Sequence, residues 1–205
     1  MTHPAPARAL LDAVIDFYGG FGRAGDAGAV PMLDTVLADL RRATPSAPAL
    51  APHAITASAL LDAALPKTAF GAVIAEAAPL FRWRQNSNYT TEIMGAAFMG
   101  GYGYVEFAGP KDALFHAPDI RVGLLLLGPG VHYPLHAHPA EEIYHPLTKG
   151  GLWRRGNEDW RAVRAGEAIH HPPMMPHETK ATDRTLLALY CWRGDTVTEA
   201  RLTER

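Results

Sequence analysis

The hydrophobic pattern of the chain changes period near Arg82. Before it, apolar residues recur every three or four positions, which places them on one face of a helix. Leu10, Leu11, Val14 and Phe17 predict a first helix that stops at Gly19-Gly20. Pro31 suits the first turn of a second helix, where its missing N–H costs little, and Leu33, Val36, Leu37 and Leu40 form the apolar stripe. Residues 43–52, rich in Pro and Ala, interrupt the pattern. Two alanine-rich segments, 55–64 and 70–81, predict further helices, the second burying Ile74, Ala78 and Phe81. These helices are expected to pack on the rest of the chain or on a second subunit, which would make a homodimer.

After Arg82 the signals are those of strands. Residues 102–107 alternate and 122–127 form a continuous apolar run, as in a strand buried on both faces. Residues 142–147, 151–154, 161–163, 168–170 and 186–191 are further strands. Gly-bearing stretches at 149–151, 156–159 and 164–167 predict three hairpin turns, the last leading to the strand that delivers His177. Short strands with close turns predict an antiparallel sandwich or barrel. Residues 82–94 are polar and aromatic and fit two readings equally, a loop across the barrel mouth with Trp83 and Tyr89 offered to a ligand, or ordinary packing and turn residues.

Composition narrows the classes. The chain has 205 residues, 48% hydrophobic and 20% charged, with a formal charge of −2 and no basic cluster, so neither nucleic acid nor an anionic membrane is an expected partner. A single cysteine, Cys191, precludes an internal disulfide. The first twenty residues lack a signal-peptide pattern and no apolar run would span a bilayer, so a soluble, cytoplasmic protein is expected.

The chemistry concentrates in residues 130–144, GVHYPLHAHPAEEIY. In an extended chain His136 and His138 share one face, and so do Glu142 and Tyr144. A tight link through Pro139 and Ala140 would bring the pairs together, and His177 is the best later donor. Imidazoles and a carboxylate converging on one point suit a divalent transition metal: Zn, Fe, Mn, Co or Ni. Tyr144 beside such an ion would lose its proton below its usual pKa of about 10. It would then act as a base or a further ligand, or else only hydrogen-bond to Glu142.

The spacing of Gly130, His136, His138 and Glu142 resembles the first motif of the cupin superfamily, with the closing glycine one residue late at Gly150. Gly166, Pro172 and His177 resemble the second, with Met174 and Ala181 in place of its glycine and asparagine. The resemblance implies a mainly β, single-domain cupin, an antiparallel double-stranded β-helix or jelly-roll barrel, with an N-terminal α-helical extension. Residues 1–82 would form the extension and 83–205 the barrel with its metal site.

From about Val122 to Asp195, the run YPLHAHPAEEIYH and the later LLALYCWRGD resemble the bacterial cupin-type dimethylsulfoniopropionate (DMSP) lyases. That resemblance implies a carbon–sulfur lyase that forms dimethyl sulfide and acrylate by β-elimination. It makes Tyr144 the catalytic base, and His138, Glu142 and His177 metal ligands. His136 would be a ligand or line the pocket, and Tyr133 and Trp192 would contact the small-molecule substrate. The ligand set alone equally suits another cupin isomerase, lyase or dioxygenase acting on a small carboxylic acid, and a non-catalytic binding module is a third class.

Overall fold

The computed structural model describes residues 5–47 and 51–204. Two helices open the chain, α1 (Ala5–Gly19) and α2 (Ala29–Arg42). Leu10, Leu11 and Val14 are buried as the spacing predicts, but Tyr18 takes the fully buried place at the end of α1 and Phe17 is half-buried. The alanine-rich 55–64 is not one helix: a 3-10 turn (Thr56–Leu60) leads into the single turn α3 (Leu61–Ala64). The next segment is shorter than its apolar pattern. It starts at Thr68, whose hydroxyl accepts from the Gly71 N–H, and runs as α4 (Ala69–Ala77). Pro79 then forces a 3-10 turn, so Ala77 and not Ala78 is buried beside Ile74, and Phe81 lies beyond. Polar residues 82–94 are not all loop, because α5 (Thr91–Met94) forms there and α6 (Ala96–Gly101) follows Gly95, whose φ of 81° breaks the two apart. Among the described residues no helix is long and apolar enough to cross a membrane.

Among the described residues twelve strands follow the chain from β1 (Thr44–Pro45), within the Pro-rich connection, to β12 (Arg201–Leu202). Between them lie β2 (Tyr102–Gly109), β3 (Phe115–His116), β4 (Ile120–Leu127), β5 (His132–Ala137) and β6 (Glu141–Pro146). Then come β7 (Gly151–Arg155), β8 (Arg161–Ala162), β9 (Ile169–His171), β10 (His177–Ala181) and β11 (Leu186–Arg193). They form a seven-stranded sheet, β1-β3-β2-β4-β11-β6-β9, and a five-stranded sheet, β12-β5-β10-β7-β8. All pairings are antiparallel except β2 with β3. The protein is mainly β, as expected. Of the three glycine turns only 156–159 closes a hairpin, β7 to β8. The turn at 149–151 instead carries the chain from β6 in one sheet to β7 in the other, and 164–167 carries it back.

The central strands of the larger sheet, β2, β4, β6 and β11, are buried on both faces, which explains their continuous apolar runs. On β4, Val122, Leu124 and Leu126 join one core cluster with the helices, while Leu125 and Leu127 join a second cluster inside the barrel. On β11, Leu187, Leu189 and Cys191 face the helices, and Tyr190 and Trp192 face inward. Trp83 belongs to the helix-side cluster with Phe81 and Phe107, so it is not at the mouth; Tyr89 belongs to the inner one. Burial pushes the Cys191 thiol up to about 12, consistent with an inert core residue.

Two positions test this packing. Gly123 on β4 lies opposite Glu106, where β2 bulges, and a Cβ there would sit 1.9 Å from the Val105 carbonyl oxygen. Gly123→Ala is expected to cost about 1–3 kcal/mol, read as a fall in Tm of roughly 3–10 °C in a thermal melt. His145 projects from β6 into the helices, packs against Phe17 and Tyr18, and donates through Nε2 to the Gly22 carbonyl at 2.7 Å. Burial lowers its pKa to about 4, against the small opposing effect of that hydrogen bond. A depressed histidine pKa means the folded state prefers the neutral ring. Its contribution is therefore full above pH 6.5 and is lost as the pH falls from 6.5 to about 4. His145→Gln should flatten the stability difference between pH 7 and 4.5 by up to about 3 kcal/mol in denaturant titrations; an unchanged difference would show that His145 does not drive it.

Candidate metal centre

The site lies between the two sheets, at one end of the barrel. Glu142 is the middle link in a cross-sheet row: Trp192 of β11 is its partner on one side and His171 of β9 on the other. The five-stranded sheet supplies the facing side, where His177 of β10 pairs with His136 of β5. The chain between β5 and β6 crosses from one sheet to the other and delivers His138. Donor atoms of His138, Glu142 and His177 lie within 4.8 Å of one another, and all three residues are buried. His136, also buried, stands beside the triad with its ring 4.2 Å from that of His177.

Backbone carbonyls orient the imidazoles. His136 Nδ1 donates to Pro134 O at 2.7 Å, His138 Nδ1 to Ala140 O at 3.0 Å, and His177 Nδ1 to Met175 O at 2.9 Å. With the proton on Nδ1, the Nε2 lone pair of each neutral ring is free for a metal. The Nε2 atoms of His138 and His177 each sit 3.1 Å from Glu142 Oε2. The other carboxylate oxygen, Oε1, accepts from Trp192 Nε1 at 2.5 Å. This donor set, with nitrogen lone pairs and a carboxylate converging in a buried space, fits a divalent transition metal.

The electrostatics agree. Burial would raise the pKa of Glu142, but the imidazoles of His138, His171 and His177 around its Oε2 outweigh it and hold the carboxyl well below its usual range. Burial keeps the ring of His136 neutral. Tyr144 points into the same cavity from β6, and burial together with the Glu142 charge pushes its phenol well above the ordinary value. Met174 stands in the left-handed region (φ 61°) where the cupin pattern has glycine, and its N–H donates to His138 O at 2.9 Å, tying the loop before His177 to the first motif.

The cavity above the triad is walled by aromatic rings. Tyr133 stacks flat on His136 at 3.8 Å and shares a hydrogen bond with Tyr89 at 3.1 Å. Trp192 stacks on His138 at 4.1 Å, and Arg121 lies over its indole at 5.3 Å. Tyr102, Tyr104 and Tyr190 complete the wall.

Two features escape sequence reasoning. One is His171, fully buried beside Glu142 but outside both motifs. The other is a buried charge cluster at the cavity edge. Glu106 pairs with Arg84 at 2.7 Å and Arg121 at 3.5 Å, and Arg121 also binds Glu199 at 3.1 Å. Burial raises the Glu106 pKa, and the two arginines offset only part of that. A charged residue within the otherwise apolar 102–107 was the available signal, since burying it demands partners.

Comparison with known proteins places this geometry. The family model for dimethylsulfoniopropionate lyase matches residues 26–188. The dimethylsulfoniopropionate lyase DddQ of Ruegeria pomeroyi is 31% identical over 145 residues, which cover 69% of this chain and 71% of that protein. Its crystal structure superposes with a TM-score of 0.77 at 27% identity, covering 96% of each chain. A chain from the crystal structures of the DMSP lyases RdDddP and RnDddQII shares the fold, with a TM-score of 0.81 at 23% identity over 98% of each chain. The protein belongs to the dimethylsulfoniopropionate lyase family, a family of carbon–sulfur lyases.

Proposed function

We propose that this protein cleaves DMSP to dimethyl sulfide and acrylate by a metal-assisted β-elimination that Tyr144 initiates. The observation that carries the reading is the buried triad of His138, Glu142 and His177 with Tyr144 on the same face of β6, two residues from Glu142. Those three residues would hold one divalent transition ion, with His136 as the candidate fourth donor from β5. Such an ion, when bound, would offset the Glu142 charge, favour the Tyr144 phenolate and stabilise negative charge building up beside the substrate carboxylate.

The chain's own groups do the rest. The Tyr144 oxygen takes the proton from the carbon next to the carboxylate. The electron pair of that C–H bond becomes the new C=C bond, and the C–S pair leaves with sulfur as neutral dimethyl sulfide. Tyr144 then returns its proton to water. Tyr133, with the neighbouring tyrosines, offers ring surface to the sulfonium, worth about 0.5–2 kcal/mol per ring by cation–π attraction, and Trp192, whose ring carries His138 and Arg121, lines the substrate side of the same cavity. Trp192 also holds Glu142 through its indole N–H.

Headspace detection of dimethyl sulfide from metal-reconstituted protein given DMSP tests the substrate. Tyr144→Phe should lower that production by about 100-fold or more with metal content unchanged; a variant that keeps its rate removes Tyr144 as the base. Because the base acts as the phenolate, the rate of the metal-loaded wild type should climb with pH as Tyr144 ionises, and a flat profile would argue against that role. Glu142→Ala and His177→Ala should each weaken metal binding by more than about 10-fold in chelator competition. Full occupancy in either variant would break the ligand set.

A further inference from the structure

Four imidazoles surround the Glu142 carboxylate, and three of them have their tautomer fixed by a backbone carbonyl. His171 is the exception. It is fully buried and lies directly opposite Glu142 in the β6–β9 ladder. Neither of its ring nitrogens has a hydrogen-bond partner within the protein. Burying an imidazole in this state is costly, so the position makes sense only if a neighbour satisfies it in the working protein. Its ring stacks face to face on His177, with centroids 3.9 Å apart and planes 13° apart, so the in-plane nitrogens of the two rings do not address each other. The Tyr144 ring stands edge-on at 5.9 Å. What the His171 Nδ1 does face is Glu142 Oε2, at 3.5 Å, the same oxygen that His138 and His177 approach.

We infer that His171 is a positioning residue for the metal-binding carboxylate: its Nδ1–H donates to Glu142 Oε2, while Trp192 holds Oε1. The carboxylate is thereby pinned from both sides in one rotamer, with one lone-pair direction of Oε2 left for the ion. Stacking on His177 fixes that ring as well, so one residue orients two donors. This rests on the metal reading above, since the carboxylate it orients is taken as a ligand. Partners of this kind, which touch a ligand and not the ion, typically control affinity as strongly as a weak ligand does.

Three variants of the full chain separate the roles of the two nitrogens. His171→Asn keeps an N–H at the place of Nδ1, His171→Gln moves it to the place of Nε2, and His171→Leu has none. Each stripped protein is titrated with Zn2+ and Co2+ against a chromophoric chelator, with thermal melts to establish that it is folded. His171→Leu and His171→Gln should bind about 10- to 100-fold more weakly than wild type and His171→Asn within about 3-fold of it. The intensity of the Co2+ visible bands should stay the same in all of them, because the ligands are unchanged. Wild-type affinity in His171→Leu, or rescue by Gln in place of Asn, overturns the assignment. So does a change in Co2+ band intensity on losing His171, which would make it a ligand itself. Should His171→Leu fail to fold, the Asn and Gln pair decides alone. A wild-type protein that takes up neither ion sinks the metal reading and this inference together, whereas wild-type binding with indistinguishable variants sinks only the inference.

Discussion

A carboxylate with no exposure to water is the constraint around which this protein is arranged. An isolated ionised Glu142 in such a place would be prohibitively unfavourable. Its ionisation is held by contacts from every side: the Trp192 indole on one oxygen, and His138, His177 and His171 around the other. Those contacts come from β11, β9, β10 and the β5–β6 crossing. The two sheets must therefore close on one another at this end of the barrel, and the register of β6 between β11 and β9 must be right to the residue. A shift of one residue would turn Glu142 and Tyr144 toward the helices and His145 toward the cavity.

That sensitivity follows from a sheet buried on both faces. Residues adjacent in sequence enter different chemical worlds. Tyr144 faces the cavity of the His138, Glu142 and His177 triad, while His145 is packed between aromatic rings of α1 and bonded to a loop carbonyl. Cys191 lies in the helix-side core beside Tyr18, while Trp192 touches two members of the triad. The helices act on function through this arrangement. By covering the outer face they let β4, β6 and β11 be apolar on both sides, and so let the inner face be devoted to aromatic walls and donors.

Much of the site could be read in the chain because its residues are close in sequence and the period of a strand is fixed. His136, His138, Glu142 and Tyr144 fall within nine positions, and their spacing by twos assigns a common face without knowledge of the partner strands. His177 was within reach because its proline-rich surroundings carry a second recognisable spacing. The helix-to-strand change near Arg82 was equally plain, since periods of 3.6 and 2 leave different traces.

What stayed hidden depends on contacts between segments distant in the chain. A glycine turn announces that the backbone reverses, yet says nothing about which sheet receives it; hence 149–151 reads as a hairpin and proves to be a crossing. Trp83 and Tyr89 look alike as aromatics in a polar stretch, and only packing sends one to the helix-side core and the other to the cavity. His171 has no spacing relation to Glu142; pairing of β9 with β6 alone makes them neighbours. The sequence by itself determined the elements, the donor types and the face they share, because these are local properties of a regular backbone. The tertiary structure decided which donors converge, how each ring is turned and what balances the buried charge, because those are set by register and packing between segments separated in the chain, as in the bond from Trp192 to Glu142, fifty positions apart.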